Sequence, residues 1–274
     1  MRQLLVISCV FLMLAQSEAP RAAGREAPQA SLPPGAEAVS LFGKPLVPPQ
    51  PSPEVRQTME AALAEARAAY ERAPTDPEAI IWLGRRTAYL GRYQEAIAIY
   101  TKGIERHPRN AKLYRHRGHR YISVRQFDRA IADLEKAASL IAGVPDEIEP
   151  DGLPNARNTP TSTSHSNIWY HLGLAYYLTG DFGNALRAYR ECLTFSKNPD
   201  MLVATSHWLY MILRRLDRPE DAAKVLDPIR PNLDIIENGS YHRLLLMYKG
   251  LIPLDVIMEK AIAGFELVTS GYGV

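Results

Sequence analysis

Chemistry in this chain would have to come from histidine, tyrosine and arginine, the reactive side chains that recur at regular places. His116, His171 and His207 fall at similar points of successive helical stretches, and His119 lies one turn beyond His116. A row of imidazoles invites a metal. Zinc, however, is held by three or four ligands that converge at about 2 Å, and neighbouring helices stand roughly 10 Å apart. The spacing favours histidines that pack or hydrogen-bond, so no metal and no cofactor is expected. Charge around them is one-sided. From Lys102 to Arg129 the bases are Lys102, Arg106, Arg109, Lys112, Arg115, Arg117, Arg120, Arg125 and Arg129, against the acids Glu105 and Asp128. A guanidinium makes paired hydrogen bonds to a carboxylate, which suits an acidic partner. A solvated basic face with no dedicated ligand is the other reading of the same stretch.

Catalytic signatures are missing. The sequence holds no HExxH, no GxxxxGK[ST], no GxSxG and no GxGxxG following a strand, the patterns that set up metal hydrolysis, phosphate cradling and nucleophilic attack. No two carboxylates can be placed across a cleft. An enzyme is therefore not expected. The alternative is a small-ligand or metal-binding module, hydrolytic at most, built on His116, His171 and Tyr170. Of the two cysteines, Cys9 lies in an N-terminal apolar run and Cys192 on a helix among apolar residues. Without Cys9 no internal disulfide can form, and Cys192 reads as a small buried hydrophobe.

The elements that must position these groups are helices. Met59, Leu63, Ala66 and Tyr70 recur at spacings of three and four, and Pro74 and Pro77 end that helix. A repeat follows. Leu83-Gly84, Gly91-Arg92-Tyr93, Ala96, Tyr100 and Pro108 are matched by Trp169, Leu172-Gly173, Tyr176, Gly180-Asp181-Phe182, Ala185 and Tyr189. A middle copy has Tyr114, Gly118, Tyr121, Phe127, Ala130, Leu134 and Ala137, with Arg117 in place of the usual Leu and Arg125 in place of the turn Gly. Small residues such as Gly84, Gly173, Ala96 and Ala185 let paired helices approach, and large ones such as Tyr100, Trp169, Tyr176 and Tyr189 fill the gaps. Gly91 and Gly180 suit turns that need positive φ.

These offsets, W-x2-L-G-x2-Y, then A-x3-F, then P, resemble those of the tetratricopeptide repeat family. The resemblance covers about 77–200 and extends more faintly to 203–230 through Leu209, Ala222 and Leu226. It implies an all-α, right-handed solenoid of helix pairs, in which the first helix of each pair lines a concave groove. Arg85, Tyr89, Lys112, Arg115, His116, His119, Asn167, Tyr170, His171, Tyr177, His207, Arg214 and Arg215 would then approach that groove. The implied function is a non-catalytic scaffold that binds a protein or an acidic peptide. Some family members clamp a terminal carboxylate with Lys and Asn. Here Ile81 and Arg85 stand at the first of those positions, so a clamp of that kind is not reproduced.

The flanks complete the organisation. Arg2 and the apolar run Leu4 to Ala15 read as a signal peptide, cut after Ser17 because Pro20 disfavours cutting after Ala19. The run is short of the roughly 20 residues a span needs. An uncleaved anchor, with membrane proximity, is the alternative. Export makes the chain periplasmic or secreted and sets nucleic acid aside as a partner. The expected order is signal peptide 1–17, a Pro/Ala-rich, disordered linker 18–53, an N-terminal helix 54–76, and repeats at 77–110 and 111–141. A loop insert 142–166 follows, then a repeat at 167–200, a degenerate repeat at 201–232 and a capping helix pair at 233–274. The linker's Val39 to Gly43 piece would dock only by burying Leu41 and Phe42. The insert carries four prolines and the acids Asp146, Glu147, Glu149 and Asp151, and it is expected to interrupt the stack. It is either a solvated linker or an ordered lid across the groove, in which case its acidic part 145–151 would be an internal ligand. With 274 residues, 46% of them hydrophobic and 23% charged, and a net charge of +2, the chain as a whole is of globular composition.

Overall fold

The computed structural model describes residues 32–263. The expected signal peptide 1–17, the first part of the linker and the last residues of the expected C-terminal pair lie outside them. Helices α1 (Pro53–Arg72), α2 (Pro77–Tyr89), α3 (Tyr93–Arg106), α4 (Ala111–Ser123), α5 (Phe127–Leu140), α6 (Ser164–Leu178), α7 (Phe182–Phe195), α8 (Pro199–Arg215), α9 (Pro219–Val225), α10 (Gly239–Tyr248) and α11 (Leu254–Ala263) follow one another. Each packs on its predecessor or on the helix two before it. The result is the expected all-α solenoid of tetratricopeptide-type helix pairs. Helix starts are written in the sequence. Ser52, Asp76, Asn110, Thr163, Asp181 and Asn198 each accept a backbone N–H at an N-terminus. Pro53, Pro77 and Pro199 stand in the first turn, where no N–H is needed.

Close approach within pairs depends on glycine. A Cβ on Gly84 would lie 2.3 Å from the Tyr100 ring, one on Gly173 2.6 Å from the Tyr189 ring, and one on Gly118 2.8 Å from Leu134. Tyr100 and Tyr189 are in turn fully buried. The turns between paired helices need a left-handed residue: Gly91 has φ 77° and Gly180 φ 79°, and Arg125 adopts φ 64° at the same place between α4 and α5. Arg117, standing where the repeat has Leu, is matched by a bidentate bond to Asp133 of α5, at 2.7 and 2.8 Å. A smaller core of Val203, Leu226, Ile229, Leu245 and Leu246 joins α8 to the C-terminal pair.

Three expectations are corrected. The end of the linker is not a free tether. It folds into a hairpin of β1 (Ala38–Val39) and β2 (Pro45–Leu46). The hairpin docks with Ala38 buried, Glu37 bonded to Gln94 and Pro48 against Gly91. Leu41 and Phe42, at 94% and 90% exposure, sit on its tip and do not dock; glycine at Gly43 (φ 73°) makes the reversal that carries them outward. The insert does not interrupt the stack: α5 packs directly on α6. Its chain loops out between them because its two ends pair, with Glu149 N donating to Ser162 O at 3.1 Å and Ser164 N to Glu147 O at 2.9 Å. Finally, α6 takes in 164–166, because Thr163 and Ser166 form a reciprocal capping box.

Candidate functional site

The first helices α2, α4, α6 and α8 lie side by side and form one face of the stack. At one end the face is basic. Arg85 and Tyr89 stand one turn apart on α2, and Arg85 Nε donates to the Tyr89 hydroxyl at 3.2 Å. Trp82 lies beneath both Arg85 and Arg86, 4.4 and 5.0 Å from their guanidinium carbons. From α4 come Lys112, Arg115, His116 and His119. At the other end the face is aromatic. Trp208 Nε1 donates to the Tyr170 hydroxyl at 2.8 Å, Tyr177 lies edge-on to Trp208, and His207 lies against Tyr241 and Tyr248.

Across this face runs the insert. Arg85 Nη2 donates to Pro150 O at 2.8 Å, and Arg86 Nη1 to Gly152 O at 2.5 Å. Lys112 pairs with Glu147 at 2.9 Å and with Glu78 at 3.0 Å. Arg115 pairs with Glu149 at 3.1 Å, and Glu149 also accepts from Asn167 Nδ2 at 3.0 Å. Beyond Gly152 the insert reaches the far end: Asn155 and Thr161 bond Glu237, and Arg157 pairs with Asp234 at 2.8 Å. Asn198, the cap of α8, donates to Thr161 O at 2.7 Å. Of the two readings of the insert, an ordered lid is the one observed, with its acidic part seated on the groove's bases.

Under the lid a cavity of about 110 Å³ is lined by Arg85, Tyr89, Tyr100, Arg115, His116, His119, Arg120 and Glu149. Five of the sequence-selected residues thus share one enclosure. His171 joins it from the side, its ring 4.0 Å from that of His119. Burial first, then the neighbouring guanidinium groups, hold His116 and His119 far below the usual imidazole range and bring His171 to about 3. His207 stands apart from them and is brought to about 4 by burial alone. Arg214 bonds Tyr210, and Arg215 lies over Phe182, both away from the cavity. Arg120, Tyr100 and Glu149 were not among the selected residues. Arg120 belonged to the basic run and Glu149 to the acidic insert, but no sequence pattern brings the two runs together.

Among the described residues no group of three or more His, Cys, Asp or Glu side chains has the geometry to hold a metal ion, and no helix is long and apolar enough to cross a membrane. Cys192 is buried, its thiol donating to Ser166 O at 3.4 Å, and burial pushes it up to about 11; it is held as an unreactive thiol.

The tetratricopeptide repeat family model matches residues 166–199, which span α6 and α7. No curated protein matches the sequence. Among solved structures the chain is similar to MamA, with 14% identity over 73% of this chain and 95% of that one and a TM-score of 0.48. It is also similar to a thermophilic tetratricopeptide protein of Thermus thermophilus, with 21% identity over 71% and 93% and a TM-score of 0.45. A third is YrrB, described as a tetratricopeptide protein with an unusual peptide-binding site, with 17% identity over 72% and 91% and a TM-score of 0.46.

Proposed function

We propose that this tetratricopeptide-repeat protein is an exported, non-catalytic scaffold whose concave face binds an acidic segment of a partner protein in an extended form. One observation supports the reading above the others. The chain's own insert lies along the first helices with Glu147 on Lys112 and Glu149 on Arg115, and with main-chain carbonyls of Pro150 and Gly152 accepting from Arg85 and Arg86. Carboxylates on bases give register, and main-chain carbonyls on guanidinium groups give affinity that does not depend on sequence. A partner segment of the same chemistry would compete with the insert for these contacts. The face is thus self-occupied, and a partner gains access when the insert leaves.

The test uses a variant in which 145–163 is replaced by a Gly-Ser segment of equal length, and a synthetic peptide of residues 145–153 added in trans. Fluorescence anisotropy should find the labelled peptide bound by the variant and at least tenfold more weakly by the parent chain, whose own insert holds the face. A variant that keeps its helical circular dichroism yet leaves the peptide free would sink the proposal.

A further inference from the structure

The cavity beneath the insert carries more positive charge than its surroundings neutralise. Arg85, Arg115 and Arg120 line it, and among its described lining residues Glu149 supplies the only carboxylate. Glu149 is committed to Arg115 and Asn167, and Arg85 to Tyr89 and Pro150 O. Arg120 makes no ion pair among the described residues. It is 4% exposed, it lies over the Tyr93 ring at 5.3 Å, and its Nη1 has no hydrogen-bond partner. Arg115 Nε, also buried, has none either. A guanidinium cannot shed its proton, and a buried charge left unpaired is strongly destabilising. The nearby histidines do not change this balance, since burial and the arginines disfavour their cationic form. Arg115 Nη1 lies 2.7 Å from His116 Nδ1. That nitrogen must accept, which puts the imidazole proton on Nε2, the atom facing Glu149 at 3.9 Å. The wall therefore holds buried donors in excess of acceptors and two positive charges in excess of negative.

We propose that this cavity is a binding site for a small tetrahedral oxyanion, inorganic phosphate or sulfate, with Arg115 and Arg120 as its charged ligands and His116 as a neutral donor. The charge excess matches a dianion, and an enclosure of about 110 Å³ admits such an ion while excluding a length of polypeptide. The bound ion would share Arg115 with Glu149, and by reciprocal linkage would weaken the insert's hold at that point. The inference stands apart from partner binding, because it is read with no partner present.

Isothermal titration calorimetry of the full chain with sodium phosphate, against sodium chloride at matched ionic strength, tests it. Phosphate and sulfate should bind saturably at one site, and chloride should give only dilution heat. Arg120→Gln should lose at least tenfold in affinity, while Arg109→Gln, exposed on the turn before α4, should keep it. Because Arg120→Gln removes a buried side chain, Glu149→Gln provides a second reading. Removing the carboxylate that competes for Arg115 should tighten phosphate binding at least threefold. O-phosphoserine separates a free ion from a phosphorylated side chain, and the enclosure predicts that it binds at least tenfold more weakly than phosphate. The proposal is overturned if phosphate and sulfate give only the chloride response, if Arg120→Gln folds and binds as the parent does, if Glu149→Gln binds no tighter, or if phosphoserine binds while phosphate does not.

Discussion

His171 and His207 illustrate what burial does to a single side chain. Both are enclosed, and their folded-state pKa values fall to about 3 and about 4. Since both values lie below that of an exposed imidazole, about 6.5, the unfolded chain binds protons that the folded chain refuses. Their contribution to stability is full above pH 6.5 and is lost as pH falls towards the folded values. Each should cost about 1.4 kcal/mol per pH unit between pH 6 and pH 4. Urea denaturation at pH 7, 6 and 5 should show this loss, and His207→Gln should flatten the slope by the share of one proton. A midpoint that holds constant from pH 7 to pH 5 would contradict the burial argument. Arg117 and Asp133 make the complementary case. Their bidentate bond replaces an apolar contact of the repeat, and burial pushes the Asp133 carboxyl up even so. Such a pair fixes register between α4 and α5 more than it adds stability.

Helix pairs are the next scale, and their turns explain one departure from the repeat. Gly91 and Gly180 supply the left-handed residue after α2 and α6, whereas after α4 it is Arg125, at φ 64°. A side chain in that region costs about 1–2 kcal/mol, and glycine returns part of the gain as unfolded-state entropy. Arg125→Gly should therefore stabilise the protein by about 0.5–1 kcal/mol, read as a higher denaturation midpoint. A lower midpoint would mean that the Arg125 side chain makes a contact worth more than the strain. The insert is bonded to α2 through Arg85 and Arg86, to α4 through Lys112 and Arg115, to α6 through Asn167, to the α8 cap Asn198, and to the 234–237 stretch before α10 through Asp234 and Glu237. It therefore works as a strap across the pairs rather than as a spacer between them.

For the whole molecule, a stack in which each pair touches its neighbours gains a long face without gaining a deep pocket. The strap changes that, converting part of an open face into an enclosure. The proposed export rests on Arg2 and the Leu4 to Ala15 run, outside the described residues. Intact mass of the chain recovered from cells reads it: a mature protein should begin at Glu18, and a chain retaining the apolar run would favour the anchored alternative.

The sequence by itself determined the helical class, the repeat and its glycine–tyrosine contacts, because these follow from short-range periodicity. Gly84 with Tyr100 and Gly173 with Tyr189 are legible as spacing. The candidate groove residues followed from the family resemblance, and five of them, Arg85, Tyr89, Arg115, His116 and His119, share one cavity. What only the tertiary structure decided was the company they keep. That Glu149 meets Arg115, that Arg120 lines the same wall without a carboxylate of its own, and that Ala38 rather than Phe42 docks the hairpin are outcomes of chain reversals. Such a reversal pairs segments distant in sequence through a few bonds at their ends, as Glu149 N to Ser162 O and Glu37 with Gln94 do. No local pattern encodes which distant face such a loop will meet, because the meeting depends on the summed curvature of all the helix pairs between them.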